Sequence, residues 1–133
     1  MLAKTQNNCI VFDVPYHNLD IQTVTKFKRN LLTIYLSSQY SNMVLNMEKV
    51  TFLDSAGLEA LLFAGSLVQE ANGKLSICCV NSLVKSILLQ SRLYKYFDIN
   101  KTLEESIDFI NDDELMETCN YHVIRNKLQT IFS

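Results

Sequence analysis

Val50-Thr51-Phe52-Leu53-Asp54-Ser55-Ala56-Gly57-Leu58 joins a short apolar, β-branched burst to the start of a long apolar helix, and the order of elements on either side follows from that junction. Downstream, Leu58, Leu61, Leu62, Gly65, Leu67 and Val68 continue the helix to Asn72-Gly73, where Gly73 is expected in the left-handed C-terminal position. Upstream, Met43 to Met47 is an apolar run between polar pairs, which predicts a strand buried on both faces. Lys74 to Val80 predicts another strand, on which Cys78 and Cys79 point to opposite faces. Ser82 to Leu93 predicts a helix turning Leu83, Val84, Ile87 and Leu88 inward. Tyr96 to Ile99 adds a short strand, and Thr102-Leu103-Glu104-Glu105, a capping box, opens a helix through Ile110.

The N-terminal third fits the same alternation. Cys9-Ile10-Val11-Phe12-Asp13-Val14 reads as a strand stopped by Pro15, with Leu2 to Thr5 as its hairpin partner. From Asp20, taken as the N-cap, Ile21, Val24, Phe27, Leu31, Ile34 and Tyr35 recur at the spacing of one helical face. Strand and helix in turn predict an α/β fold: a mostly parallel, mixed sheet of four to five strands with covering helices, and an extra C-terminal helix. Residues 1–110 form the domain and residues 111–133 a C-terminal amphipathic extension.

Composition removes several functions. A chain of 133 residues that is 48% hydrophobic holds one core and little room for a second. A net charge of -2, from 12 basic and 14 acidic side chains, offers no basic stripe for direct nucleic-acid binding. No apolar run reaches the roughly 20 residues that cross a bilayer, and the first residues lack the apolar core of a secretory signal, so no membrane insertion and a cytoplasmic location are expected. The cysteines at 9, 78, 79 and 119 match neither zinc spacing nor a disulfide framework and are expected reduced. Three glycines and no phosphate-loop motif leave nucleotide hydrolysis unsupported, and no metal or other cofactor is expected.

The polar group that packing alone would not dictate is Asp54-Ser55-Ala56-Gly57. A helix N-terminus offers unpaired N–H groups and about half a unit of positive charge, so a phosphate ester on Ser55 is tolerable there. Ala56 and Gly57 are small and would admit a partner. The bland reading, in which Asp54 or Ser55 simply caps the helix, is compatible with the switch and stays open. A nucleophilic role for Ser55 is not expected: Leu53 stands where a nucleophile elbow needs glycine, and His17 and His122 are far along the chain. No catalytic residue is assigned.

Val44-Leu45-Asn46-Met47, the stretch Val50 to Leu58, Asn72-Gly73-Lys74-Leu75, Asn81-Ser82 and Tyr96-Phe97-Asp98-Ile99 together resemble STAS domains, in particular bacterial anti-sigma factor antagonists. Ser55, Asp54 and Gly57 match that family's D-S-x-G motif, and Leu19-Asp20 matches the end of its G-x-L-D segment. His17 stands where the glycine would be, and the pattern also departs around Leu83 and at Ser91-Arg92-Leu93. The resemblance implies partner switching. The unphosphorylated protein binds an anti-sigma factor serine kinase through Asp20, Asp54, Ala56, Gly57 and Leu58 and releases a sigma factor; phosphorylation of Ser55 abolishes binding, and a phosphoserine phosphatase restores it. Two other roles fit a STAS domain, a subunit of a membrane transport complex and a scaffold in a stress-sensing assembly.

Past Asn111 the resemblance stops. Leu115, Met116, Cys119, Val123, Ile124, Leu128, Ile131 and Phe132 recur at helical spacing, with Asp112-Asp113-Glu114 ahead and Arg125 and Lys127 behind. An amphipathic helix of this kind packs on its own domain, forms a homodimer, or enters a partner's groove; the pattern leaves these open.

Overall fold

The computed structural model describes residues 3–92 and 97–112. Seven strands are seen: β1 Ala3–Gln6, β2 Cys9–Asp13, β3 Asn18–Leu19, β4 Asn42–Asn46, β5 Phe52–Leu53, β6 Leu75–Cys78 and β7 Asp98–Asn100. Four helices alternate with them: α1 Val24–Ser37, α2 Ser55–Glu70, α3 Ser82–Ser91 and α4 Leu103–Ile110. Five strands make the main sheet in the order β1-β2-β4-β6-β7. Only β1 runs antiparallel to its neighbour; Asn7 and Asn8, with φ of 50° and 67°, turn the chain from β1 into β2. The other pairings are parallel, so the strands end together at one edge.

Period-2 alternation divides the sheet's residues between two cores. Ile10, Phe12, Met43, Leu45, Leu75 and Ile77 face α1, α2 and α3, and Phe27 of α1 meets Phe12 edge-on at 5.8 Å between ring centroids. Cys9, Val11, Val44 and Cys78 face Ile107 and Ile110 of α4. β4 is therefore buried on both faces, as its uninterrupted apolar run predicts. Beneath α4 the buried hydroxyls of Ser76 and Ser106 lie 2.6 Å apart, and the Asn100 amide donates to Ser76 Oγ at 2.8 Å.

Several expectations are corrected. The strand after α2 ends at Cys78, because Cys79 takes φ 63° and leaves the pleat; the two cysteines do not alternate along one strand. At the end of α2 it is Asn72, φ 60°, that turns left-handed, whereas no glycine has positive φ. Gly73 is required for a different reason: a Cβ there would lie 2.0 Å from the Ser41 carbonyl oxygen. α1 begins at Val24 with Thr23 as its N-cap, three residues later than expected, and Ile21, outside the helical phase, is 72% exposed. Leu83 also points outward, one position off the Val84 and Leu88 stripe that α3 buries. The capping box of α4 is as expected in its first half, Thr102 Oγ1 accepting from the Glu105 amide at 3.1 Å, while Glu105 reaches back to the Lys101 amide at 3.0 Å. Leu2, Leu93, Tyr96 and the tail helix lie outside the described residues.

Candidate functional site

The N-termini of α1, α2 and α3 gather at the edge where the parallel strands end, the usual place for binding in an open α/β sheet. A two-stranded parallel ribbon holds them in register, β3 pairing with β5 so that Asn18 faces Phe52 and Leu19 faces Leu53. The His17 carbonyl accepts from Thr51 N at 2.8 Å and from Thr51 Oγ1 at 3.1 Å, and the Asp54 amide donates to the Leu19 carbonyl at 3.3 Å. Asn81 ties in the third helix: its Oδ1 accepts from Val84 N at 2.8 Å, capping α3, and its amide donates to the carbonyls of Val50 and Thr51 at 3.4 Å. Segments 30 or more residues apart thus meet around Asp54 and Ser55.

Asp54 caps α2. Its backbone is extended, its Oδ1 accepts from the Gly57 amide at 3.0 Å, and its carbonyl accepts from Leu58 N at 2.9 Å. With that role taken, Ser55 is the first residue of the helix, exposed, and its hydroxyl makes no hydrogen bond to the described residues. Ser55 therefore need not cap anything and is open to an incoming molecule. Asp20 plays the matching part in front of α1: its Oδ1 accepts from Gln22 N at 3.0 Å and Thr23 N at 3.3 Å, and its carbonyl accepts from Val24 N at 2.8 Å. It caps the turn that leads into α1 rather than the first residue of regular helix.

The other expected contact residues divide. Ala56 and Leu58 are half-buried, while Gly57 is buried. A Cβ at Gly57 would stand 2.2 Å from the Leu19 carbonyl oxygen, so this glycine admits β3 to the side of α2 and does not make room for a partner. Three apolar side chains that the sequence reading did not place here are exposed at the same edge: Ile21 at 72%, Phe52 at 44% and Leu83 at 53%. Alternation could have found Phe52, since Leu53 beside it is buried; Ile21 and Leu83 were hidden by an apolar spacing that looks helical until the helix start is known.

Among the described residues no three His, Cys, Asp or Glu side chains come together as metal ligands, and no helix is long and apolar enough to cross a membrane. Burial pushes the Cys78 thiol up to about 12, with its neighbour Cys79 adding to the shift. Such a thiol is poorly suited to nucleophilic work at neutral pH.

The STAS domain profile matches residues 1–108. An anti-sigma F factor antagonist of Paenibacillus polymyxa is 33% identical over 61 residues, 46% of this chain and 52% of that protein, so the matched stretch spans about half of that relative. Among solved structures, an anti-sigma-factor antagonist (STAS) domain protein from Planctomyces limnophilus superposes with a TM-score of 0.73 at 17% identity, covering 81% of this chain and 95% of the other. The Bacillus cell fate determinant SpoIIAA in its phosphorylated form superposes with a TM-score of 0.61 at 18% identity, covering 82% and 97%. These likenesses extend to the sheet order and the helix positions, and their names refer to antagonism of an anti-sigma factor.

Proposed function

Since the chain belongs to the STAS domain family, we propose that it is an anti-sigma factor antagonist that works by partner switching, with Ser55 as the switch. One observation carries the reading: Ser55 is exposed at the head of α2 while Asp54 supplies the cap. In this reading the unphosphorylated protein docks on an anti-sigma serine kinase through Asp20, Asp54, Ser55, Ala56 and Leu58, and a sigma factor is released. Gly57 contributes from behind, by holding α2 against β3.

Phosphorylation adds about -1.5 to -2 charges beside the Asp54 carboxylate. Within an interface that charge must lose its water, at a cost of several kcal/mol, against a binding free energy of about 8 to 12 kcal/mol for micromolar to nanomolar partners. The helix dipole returns only about 0.3–1 kcal/mol, and the Gly57 amide is already engaged by Asp54. The modified domain stays folded while its complex fails. A phosphatase that removes the ester resets the protein.

The test is a pull-down with wild type, Ser55→Ala and Ser55→Asp, with mass spectrometry identifying partner and modification. Wild type and Ser55→Ala should retain the same serine kinase, Ser55→Asp should lose it by about a hundredfold or more, and kinase with ATP should place phosphate on Ser55 alone. Equal binding by Ser55→Asp would sink the electrostatic switch. An ATPase subunit in place of a kinase, with Ser55 unmodified, would point to a transport complex.

A further inference from the structure

The helix layer over the main sheet ends at α1, but the sheet continues one strand further, to β1. Ala3 and Thr5 of β1, which pair with Phe12 and Ile10, turn toward that layer and find no helix above them. The result is a groove of about 450 Å³ along the outer edge of the sheet, with Ala3, Ile10, Ile34 and Tyr40 giving apolar surface and Lys4 and Ser37 at its sides. Lys4 is the one charged residue lining it. The groove lies on the flank of α1 and reaches the loop after that helix, whereas Asp20 and Ser55 sit at the other end, where α1 begins.

The chain itself arrives beside this groove. α4 runs back from the switch edge, and the Asn111 side-chain amide donates to the Asn7 carbonyl at 2.8 Å, so Asp112 leaves the domain at the turn joining β1 to β2. Residues 113–133 continue from there. Crossing to the other side of the sheet means rounding an edge roughly 10 Å thick, and β1 is about 13 Å long, while a helix from Leu115 to Phe132 would measure about 27 Å. The stripe Leu115, Cys119, Val123, Ile124, Leu128 and Ile131 needs an apolar surface, and Asp113, Glu114 and Glu117 bring negative charge to the level of Lys4.

From these placements we infer that residues 113–133 fold back on their own domain as an amphipathic helix seated in the groove between β1 and α1. Tethering at Asp112 gives the segment an effective concentration in the millimolar range, which favours its own groove over that of a second molecule. The seat closes the open edge of β1, a strand that would otherwise invite pairing between chains. It leaves the Ser55 surface uncovered, so it stands whether or not the switch does.

A cysteine placed in the groove by Ser37→Cys tests this against Cys119 of the tail in the full-length chain. Under mild oxidation the expected product is a cross-linked monomer that migrates faster on a non-reducing gel and is absent when Cys119→Ser is added. Cross-linked dimers would overturn the proposal in favour of exchange between copies. Hydrogen exchange gives a second readout: removing residues 113–133, or introducing Ile131→Asp in the full chain, should speed exchange of the amides of residues 3–5 and 38–40 by about tenfold. Unchanged exchange in both variants would overturn it.

Discussion

Asp54 and Gly57 show how one short motif carries two unrelated demands. The carboxylate caps a helix and so frees the neighbouring serine; the glycine meets the Leu19 carbonyl, where a methyl group would intrude at 2.2 Å. Gly57→Ala should therefore part β3 from α2 and cost about 1–3 kcal/mol, read as a lower urea midpoint, with partner binding weakened although Ser55 is untouched. A midpoint equal to that of wild type would show that the ribbon yields without strain. Cys78 offers a test of burial. Its thiol is held neutral up to about 12 against an ordinary 9.0, so between those values the unfolded chain loses a proton that the folded one keeps. Stability from this group is intact below pH 9 and declines as pH climbs from about 9 toward 12. Cys78→Val should show a shallower loss of melting temperature over that range than wild type, and parallel curves would remove Cys78 from the account.

The helices illustrate what local rules deliver at the scale of an element. The capping box at Thr102 and the apolar run of α2 are written in adjacent residues, and both form where the pattern predicts them. The end of α2 is less direct. Asn72-Gly73 reads as a stop with the glycine left-handed, yet Asn72 makes the left-handed turn, since Gly73 is needed where the chain presses on Ser41. Two substitutions should separate these roles in thermal melts. Asn72→Gly relieves a Cβ at φ 60° and should shift stability by only a few tenths of a kcal/mol, whereas Gly73→Ala should cost about 1–3 kcal/mol. The reverse ranking would return the left-handed role to Gly73. The starts of α1 and α3 were harder to read because Ile21 and Leu83 continue an apolar spacing whose phase depends on where the helix begins, and only the fold settles that.

At the scale of the molecule, the two cores are joined through β4 and β6, and the polar contact under α4 ties the second to the first. Ser76 and Ser106 are both fully buried, and Ser76 also accepts from Asn100. Ser76→Ala strands two partners and should cost about 1–3 kcal/mol. Ser106→Ala should cost less, because Ser76 keeps Asn100. The double variant should fall short of the sum by about 0.5–3 kcal/mol in urea denaturation; strict additivity would mean that α4 is held by its apolar face alone. By itself the sequence determined the alternation of strand and helix, the doubly buried β4, and the junction at Asp54-Ser55, because each is encoded in neighbours a few residues apart through side-chain period and capping chemistry. Tertiary structure alone decided that three helices share one face and one helix the other, that Gly57 and Gly73 serve close approach, and that Asp20 comes to the side of Ser55. The β3–β5 ribbon behind that last placement consists of two-residue strands far apart in the chain, too short to show a period and held by backbone hydrogen bonds to which side-chain identity contributes almost nothing.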